Sequence, residues 1–271
     1  MEQDDTVFAG SIPLLYEECL VPLIFEPYAI DLARRVHERN PRRVLELAAG
    51  TGVVTRAMAE TLPVDTRIVA TDLNPAMLEQ ARIIGALRPV EWRQADAMAL
   101  PFADGGFDAV VCQFGAMFFP DKARAFAEAR RVLKPGGTFL FNVWDRIDEN
   151  EFADAVGDAL GQVFPDDPPR FMARTPHGYH DVAAIARDLA EAGFASAPRI
   201  ETLAFRCRAE SPRVVAIAYC QGTPWRNEIE ARDASRLDAA TDATERKSRR
   251  QLGHGTVSGR MQAHVVEIAL T

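Results

Sequence analysis

The sequence is poor in cysteine, with only 4 among 271 residues. Cys19, Cys112, Cys207 and Cys220 stand far apart and show none of the paired spacings of a zinc site or a disulfide framework. No histidine and cysteine form a pattern that is typical of zinc binding or of a cysteine nucleophile. The cysteines are therefore predicted to be buried or free thiols, and no metal site is predicted.

Long apolar runs and an excess of positive charge are missing as well. No apolar run approaches the ~20 residues of a membrane-spanning helix, and Met1 to Asp5 lack the positive region of a signal peptide. The net charge of −8 disfavours nucleic acid or an anionic membrane as partner, because both are bound by basic surfaces. The basic cluster at 246–250 follows acidic residues and is typical of a solvated helix face. We therefore expect a cytoplasmic protein without membrane insertion and without a nucleic-acid partner.

The sequence does contain a glycine turn between a strand and a helix. An apolar strand around Glu46 is followed by Gly50 and Gly52, and then by a helix. Glycine lets the backbone bend sharply and approach a ligand, while the free N–H groups at the helix start face the same place. The pattern also fits an ordinary tight turn, and it does not by itself name a ligand.

Further strands alternate with helices along the first half of the chain. Strands are predicted at 67–72, 90–95, 107–113 and 138–144, and helices after Asn74 and over 121–133, the latter ended by a turn at 134–137. Asp72 ends the second strand 20 positions beyond Gly52, the spacing of an acid that binds ribose hydroxyls. Asp96 ends the third strand, where an ordinary turn aspartate is the alternative.

This alternation predicts an α/β fold with a doubly wound parallel sheet. Ligands of such sheets bind outside the carboxyl ends of the strands. Polar residues and a glycine follow four successive predicted strand ends, namely Glu46, Gly50, Asp72, Asp96 and Gln113. We therefore expect a single ligand site at this edge of the sheet.

Together these motifs resemble the class I S-adenosylmethionine-dependent methyltransferases. The similarity is to the small-molecule branch, methyltransferase type 11, which includes ubiquinone and menaquinone C-methyltransferases. The matching segments are the glycine loop at 46–52, Asp72, the third-strand motif at 94–97, the fourth-strand motif at 107–111 and the turn at 131–137. The resemblance covers roughly residues 42–144. Many relatives have glycine where this chain has Ala48, so that position must tolerate a methyl group.

The resemblance implies S-adenosylmethionine as cofactor and S-adenosylhomocysteine as product. Glu46 is implied to reach the methionine amino group, and Asp72 to accept both ribose hydroxyls, since a carboxylate has two oxygens. Leu73 and Met98 are implied to enclose the adenine, whose amine Asp96 accepts. The implied cofactor-binding residues are Tyr16, Glu46, Ala48, Gly50, Gly52, Asp72, Leu73, Met77, Asp96, Ala97, Met98 and Gln113.

The resemblance also implies a Rossmann-like sheet of seven strands, with the last one antiparallel. The two final strands are predicted at 199–208 and 259–269, with helices at 182–192, 212–220 and 234–251. The predicted organisation is an amino-terminal helical cover at 1–40, a cofactor-binding core at 41–145, a cap or lid insertion at 146–198, and a carboxyl-terminal part at 199–271 that completes the sheet. The segment 221–226 is predicted to be a loop.

Two other functions remain open at the level of sequence. An NAD-dependent dehydrogenase also uses a glycine turn and a distant ribose acid, but its fingerprint needs a small residue where Thr55 stands. Glu46 and the Asp96-Ala97 pair have no role in a dehydrogenase. A non-catalytic S-adenosylmethionine-binding or interaction protein is the second alternative, because a fold does not settle a function.

The methyl acceptor is predicted less directly than the cofactor. Methyl transfer depends mainly on positioning, so a dedicated base need not be visible in the sequence. Tyr16 and His177 are candidate catalytic residues, with packing or surface exposure as the alternative for each. The candidate substrate contacts are Phe114, Phe118, Trp144, His177 and Tyr179. Their apolar and aromatic character predicts a small hydrophobic acceptor, bound by a monomer or a homodimer.

Overall fold

The computed structural model of the protein describes residues 3–271, and seven strands within them form one sheet. Met1 and Glu2 lie outside the described residues. They belong to the amino-terminal segment that lacks the positive region of a signal peptide. The strands are β1 (Arg43–Glu46), β2 (Arg67–Asp72), β3 (Glu91–Gln94), β4 (Phe107–Gln113), β5 (Leu133–Trp144), β6 (Arg199–Ala209) and β7 (Val257–Ala269). Their order across the sheet is β3-β2-β1-β4-β5-β7-β6.

The strand directions confirm the predicted fold class. Strand β1 pairs in parallel with β2 and β4, β2 with β3, and β4 with β5. Strand β7 is antiparallel to β5: Leu270 N–H donates to Gly137 O at 2.8 Å, and Asp145 N–H donates to Gln262 O at 3.1 Å. The protein thus has a Rossmann-like α/β sheet with an antiparallel last strand.

Helices fill most of the segments between the strands. The α-helices are α1 (Ile12–Leu15), α2 (Glu26–Glu38), α3 (Val53–Thr61), α4 (Pro75–Ile84), α5 (Lys122–Val132), α6 (Glu151–Val163), α7 (Phe171–Arg174), α8 (Val182–Glu191), α9 (Pro212–Gln221), α10 (Trp225–Asp233) and α11 (Leu237–Leu252). A π-helix covers Tyr16–Phe25. Asn74 caps α4 by accepting a hydrogen bond from Ala76 N–H at 2.9 Å, as its position before Pro75 predicts.

Two local predictions are wrong. Strand β5 begins at Leu133 rather than after the glycine pair, because Gly136 N–H and Gly137 O both bond to Leu270 and so continue the ladder. Helix α10 occupies a segment for which no helix was predicted. Pro224 precedes it, and Trp225 and Ile229, four positions apart, are buried on one side, while its other positions are mostly polar.

The chain forms two compact units. The sheet unit comprises Glu26–Val143, Tyr179–Leu203 and Ala263–Thr271. The helical unit comprises residues 3–25, Trp144–Gly178 and Ala204–Gln262. Strands β5, β6 and β7 contribute residues to both. The four consecutive segments predicted from the sequence stay a prediction.

Apolar layers cover both faces of the sheet unit. Leu140 belongs to a buried cluster with residues of α2, α3, β1, β2 and β4. Its neighbours Phe139 and Phe141 point to the opposite face, where both rings lie within 5.5 Å of Phe126 on α5. Burying a side chain of this size contributes about 1.5–3 kcal/mol. The sheet edge that bears the predicted site therefore rests on a core packed from both sides.

In the helical unit, α6 and α9 pack against α11, and α10 packs against α9. Asp5 is buried and bonds to the Arg174 guanidinium at 2.5 Å and to Thr175 Oγ1 at 2.5 Å. The same guanidinium donates to Glu228 on α10 at 2.8 Å. These bonds fasten the amino-terminal segment to the rest of this unit.

Two motif residues, Asp108 and Arg131, lie at the opposite edge of the sheet from the predicted site and have structural roles. Asp108 accepts hydrogen bonds from the N–H groups of Arg42 and Arg43 at 3.1 and 2.8 Å and from Lys134 Nζ at 2.6 Å. Arg131 bonds to Glu128, Asp104 and two carbonyl oxygens of the loop before β4. Asp108 and Arg131, which belong to two of the matching motif segments, therefore connect neighbouring segments of the chain near the first residue of β4.

Residues 3–271 contain no helix that is both long enough and apolar enough to cross a membrane. In this part of the chain, no three histidine, cysteine or acidic side chains are arranged to hold a metal ion. All four cysteines are free thiols, and three of them are buried.

Candidate cofactor site

The glycine loop after β1 has the backbone conformation that its sequence predicts. Gly50 and Gly52 have φ values of +57° and +87°, in the left-handed region that favours glycine. A Cβ at Gly52 would lie 2.8 Å from the Trp92 ring, so the close approach also requires glycine. Ala48 has a φ of +50° and accepts this conformation in spite of its methyl group.

Backbone hydrogen bonds continue the sheet beyond the strand ends that bear the site. Leu47 N–H donates to Val111 O at 2.8 Å, and Ala49 N–H donates to Thr71 O at 2.9 Å. Ala95 N–H donates to Asp72 O at 3.0 Å. The loops after β1, β2 and β3 are thereby held against each other at one edge.

Asp72 is oriented by the loops on both sides of it. Its Oδ2 accepts Gly50 N–H and its Oδ1 accepts Asn74 N–H, both at 2.8 Å. Burial raises the pKa of Asp72, and these two hydrogen bonds partly oppose that rise. A backbone hydrogen bond from Leu73 acts on the carboxylate as well, and the acceptor positions of a carboxylate that remain give the side chain capacity for hydroxyl groups of a ligand.

Glu46 is a buried carboxyl group at the end of β1, only 1% exposed. Thr55 Oγ1, in the first turn of α3, donates to Glu46 Oε2 at 2.5 Å. Burial raises the pKa of Glu46 to about 8, although Thr55 and Arg56 act in the opposite direction. A carboxyl group in this state is suited to a cationic ligand, which would compensate the buried negative charge.

We expect the Glu46→Gln variant to be more stable than the wild type at alkaline pH when no ligand is bound. Because the pKa of Glu46 is raised to about 8 in the folded protein, its ionisation costs stability progressively as the pH rises from about 4.5 to about 8. The gain over the wild type should be near zero at about pH 4.5 and on the order of 4 kcal/mol at about pH 8.

Urea denaturation at both pH values measures this difference. Glu60→Gln, an exposed carboxyl on the same helix α3, serves as the control and should change little at either pH. A gain that does not depend on pH would contradict the assignment of a buried, titrating Glu46.

The ends of β2 and β3 form the part predicted to hold adenine. Asp72 pairs with Gln94 in the parallel register, so the residues after each lie side by side. Leu73 is 56% exposed, an unusual value for a large apolar residue next to a strand. Asp96 Oδ1 accepts Met98 N–H at 2.8 Å, while Ala97 and Met98 are half-buried.

Met77, by contrast, is buried in α4, 4% exposed. Its contact with the cofactor stays a prediction.

Beside the end of β4, on the neighbouring strand, lies a residue to which the sequence motifs did not point. Asn142 is fully buried on β5, and its Oδ1 accepts Phe114 N–H at 2.9 Å. Its Nδ2 lies 3.5 Å from Gln113 Oε1, so the amide orients Gln113, one of the implied cofactor-binding residues. Phe114 has a φ of +49°, a conformation that costs energy for an aromatic residue. The signal in the sequence is an asparagine within an otherwise apolar strand.

Ala48 and Gly115 explain the departure from glycine in the first motif. A Cβ at Gly115 would lie 2.4 Å from Ala48 Cβ and 2.8 Å from Cys112 Sγ. The space for the Ala48 methyl group is therefore provided by the missing side chain at position 115. The loops after β1 and β4 are in direct contact at this point.

The other predicted residues belong partly to the sheet unit and partly to the helical unit. In the sheet unit, Phe118 is half-buried, and the Tyr179 hydroxyl donates to Asp188 at 2.5 Å. In the helical unit, Tyr16 stacks on Phe25 with ring centres 5.0 Å apart. Their contacts with substrate or cofactor stay predictions.

Trp144 and His177 lie together in the helical unit, with ring centres 6.0 Å apart. The Nδ1 of His177 lies 2.7 Å from Asp145 O and must donate to this carbonyl, so Nε2 is the unprotonated nitrogen of the neutral ring. Both residues line a cavity with Tyr219 and Cys207 that has room for about one water molecule.

The donor and acceptor groups of the sheet unit fit S-adenosylmethionine. They offer a buried carboxyl for the ammonium group, an oriented carboxylate for the ribose and an exposed aliphatic side chain for the adenine. Thr51 Oγ1 in the glycine loop is buried and has no hydrogen-bond partner among the residues described, so folding leaves one polar atom of the loop unsatisfied.

Comparison with known proteins agrees with this geometry. Residues 45–141 match a family model described as a methyltransferase domain. The demethylmenaquinone methyltransferase of Thermus thermophilus is 45% identical over 114 residues, which are 41% of this chain and 50% of that protein. The ubiquinone/menaquinone biosynthesis C-methyltransferase of Klebsiella pneumoniae is 42% identical over 106 residues, 38% of this chain and 42% of that protein. The chain thus spans half or less of the length of the relatives it matches.

A solved structure extends the likeness in fold to nearly the whole chain. The phosphoethanolamine N-methyltransferase 2 of Haemonchus contortus, solved with S-adenosylhomocysteine, superposes with a TM-score of 0.61 at 15% identity. The superposition covers 98% of this chain and 59% of that one. Residues 45–141 of this chain, which contain Glu46, Asp72 and Asp96, are therefore similar in sequence to methyltransferase domains.

Proposed function

We propose that the protein transfers a methyl group from S-adenosylmethionine to a small, hydrophobic acceptor. The observation that carries this proposal is the meeting of Glu46, Asp72 and Asp96 at one sheet edge, within the segment that matches the methyltransferase domain. The names of the relatives extend the proposal to an acceptor with a quinone-like ring. We also infer a cytoplasmic location and a monomer or homodimer, as the sequence predicts.

The residues directly after β4 support an apolar acceptor. Phe114, Met117 and Phe119 are at most 8% exposed, and Phe118 is half-buried. They follow Gln113, one of the residues implied to bind the cofactor, at the end of β4. An apolar wall of this kind gives an acceptor ring a place to bind without requiring a charge on it.

The work of the protein in this reaction is positioning. When bound, the cofactor supplies a methyl group on a positively charged sulfur, which is already activated for displacement. Asp72 and Glu46 hold fixed orientations through hydrogen bonds to Gly50, Asn74 and Thr55, so they define where the ribose and the ammonium group bind. Well-aligned reactants gain on the order of 7–11 kcal/mol from such placement.

Product formation tests the proposal. The full chain is incubated with S-adenosylmethionine and a panel of hydroquinones, phenols and small amines, and S-adenosylhomocysteine is quantified by mass spectrometry. We expect S-adenosylhomocysteine and a methylated product, in equal amounts, with at least one apolar aromatic acceptor. Heat-denatured protein is the control.

Two other outcomes would overturn the proposal. Tight binding of S-adenosylmethionine without product from any acceptor would favour the non-catalytic alternative. Binding of NADH in place of S-adenosylmethionine would favour a dehydrogenase, which the match to a methyltransferase domain does not support.

A further inference from the structure

Thr55 is placed where it controls the orientation of Glu46. It is fully buried in the first turn of α3, three positions after Gly52. Its hydroxyl donates to Glu46 Oε2 at 2.5 Å, and its backbone N–H also donates to the carboxyl group. One residue thus supplies two hydrogen bonds to a carboxyl group that is 1% exposed.

Few charged groups face Glu46 from the elements around it. Arg56 on α3 favours its ionised form, and Asp72 at the end of β2 opposes it. The Cys112 thiol on β4 is a further titratable neighbour, and burial raises its own pKa to about 12, so it is neutral at ordinary pH. Burial has the largest effect on Glu46, whose pKa of about 8 leaves it mostly protonated at neutral pH.

We propose that Thr55 is a positioning residue that directs Glu46 towards the ammonium group of the cofactor, and that binding of this group releases the proton of Glu46 to the solvent. This inference rests on the proposed function. The O–H bond of the carboxyl group breaks, the proton goes to the buffer, and the carboxylate accepts a hydrogen bond from the ammonium group. The hydroxyl and N–H of Thr55 remain bonded to the carboxylate and stabilise its charge.

Two ligands separate the ammonium end of the site from the rest. S-adenosylhomocysteine has the amino-acid part, whereas 5′-methylthioadenosine has the adenine and ribose but lacks it. Isothermal titration of both ligands into the full chain, at about pH 7 in two buffers of different ionisation enthalpy, gives affinities and the number of protons released. For the wild type we expect release of about half a proton or more per S-adenosylhomocysteine and none for 5′-methylthioadenosine.

Three variants test the part played by Thr55. Thr55→Val keeps the shape of the side chain. It should weaken the binding of S-adenosylhomocysteine about tenfold and leave the binding of 5′-methylthioadenosine unchanged. Thr55→Ser retains the hydroxyl and should restore most of the affinity. Thr61→Val, which changes an exposed threonine of the same helix, should have no effect on either ligand.

The outcomes distinguish this inference from the proposed function. If Thr55→Val weakens both ligands equally, or if the wild type releases no proton, the inference is wrong and the proposed function stands. If the wild type binds neither ligand, the proposed function itself fails.

Discussion

Replacing Asp72 with alanine should weaken binding of S-adenosylmethionine by about a hundredfold or more. The side chain is the only carboxylate at the end of β2, and hydrogen bonds from Gly50 and Asn74 hold it in place. Two hydrogen bonds from ribose hydroxyls to a charged acceptor contribute about 1.5–3 kcal/mol each. Alanine removes both.

Calorimetric titration of the full chain measures this loss. Asp65→Ala removes an exposed carboxylate of the same sheet unit and should bind the cofactor as the wild type does. Circular dichroism of both variants shows whether the fold is retained. If folded Asp72→Ala protein binds within threefold of the wild type, Asp72 does not bind the ribose.

Replacing Gly115 with alanine should lower the free energy of unfolding by about 3 kcal/mol. The added Cβ would lie 2.4 Å from Ala48 Cβ and 2.8 Å from Cys112 Sγ. Ala48 Cβ is attached directly to the backbone and cannot rotate away, so the backbone of one loop must move. Because Ala48 is part of the glycine loop, cofactor binding should also weaken.

A double variant identifies the cause of this effect. Ala48→Gly removes the closer of the two contacts. In that background, Gly115→Ala should therefore lower the free energy of unfolding by at least about 1 kcal/mol less than it does in the wild type. Gly106→Ala is the control in the same unit, because its added Cβ would have no neighbour closer than 3.4 Å. Urea denaturation measures the wild type, the two single variants, the double variant and the control. Equal costs of Gly115→Ala with alanine and with glycine at position 48 would contradict the proposed contact.

The strands that bear the site were predictable because two signals coincide in each. The observed bounds of β2 and β4 are those predicted, since an apolar run ends in Asp72 in one case and in Gln113 in the other. Strands covered on both faces are apolar throughout, so a polar residue at the end marks the carboxyl edge. The same reasoning located Glu46 and Gly50.

The parts that were not predicted depend on contacts far apart in the chain. The segment 134–137 looks like a turn until Leu270, more than a hundred residues later, pairs with it. The role of Asn142 depends on the Phe114 backbone, and that of Gly115 on Ala48. Local sequence shows the residue types but not the partners, so these positions become informative only once the chain is folded.

The cross-strand hydrogen bonds beyond the ends of β1, β2 and β3 make the floor of the site rigid before any ligand arrives. Leu47, Ala49 and Ala95 are tied to neighbouring strands by their backbone N–H groups. Loops that are already ordered lose little conformational entropy on binding, so more of the interaction energy is retained as affinity. We therefore expect this preorganisation to raise the affinity of the proposed site for a flexible nucleoside.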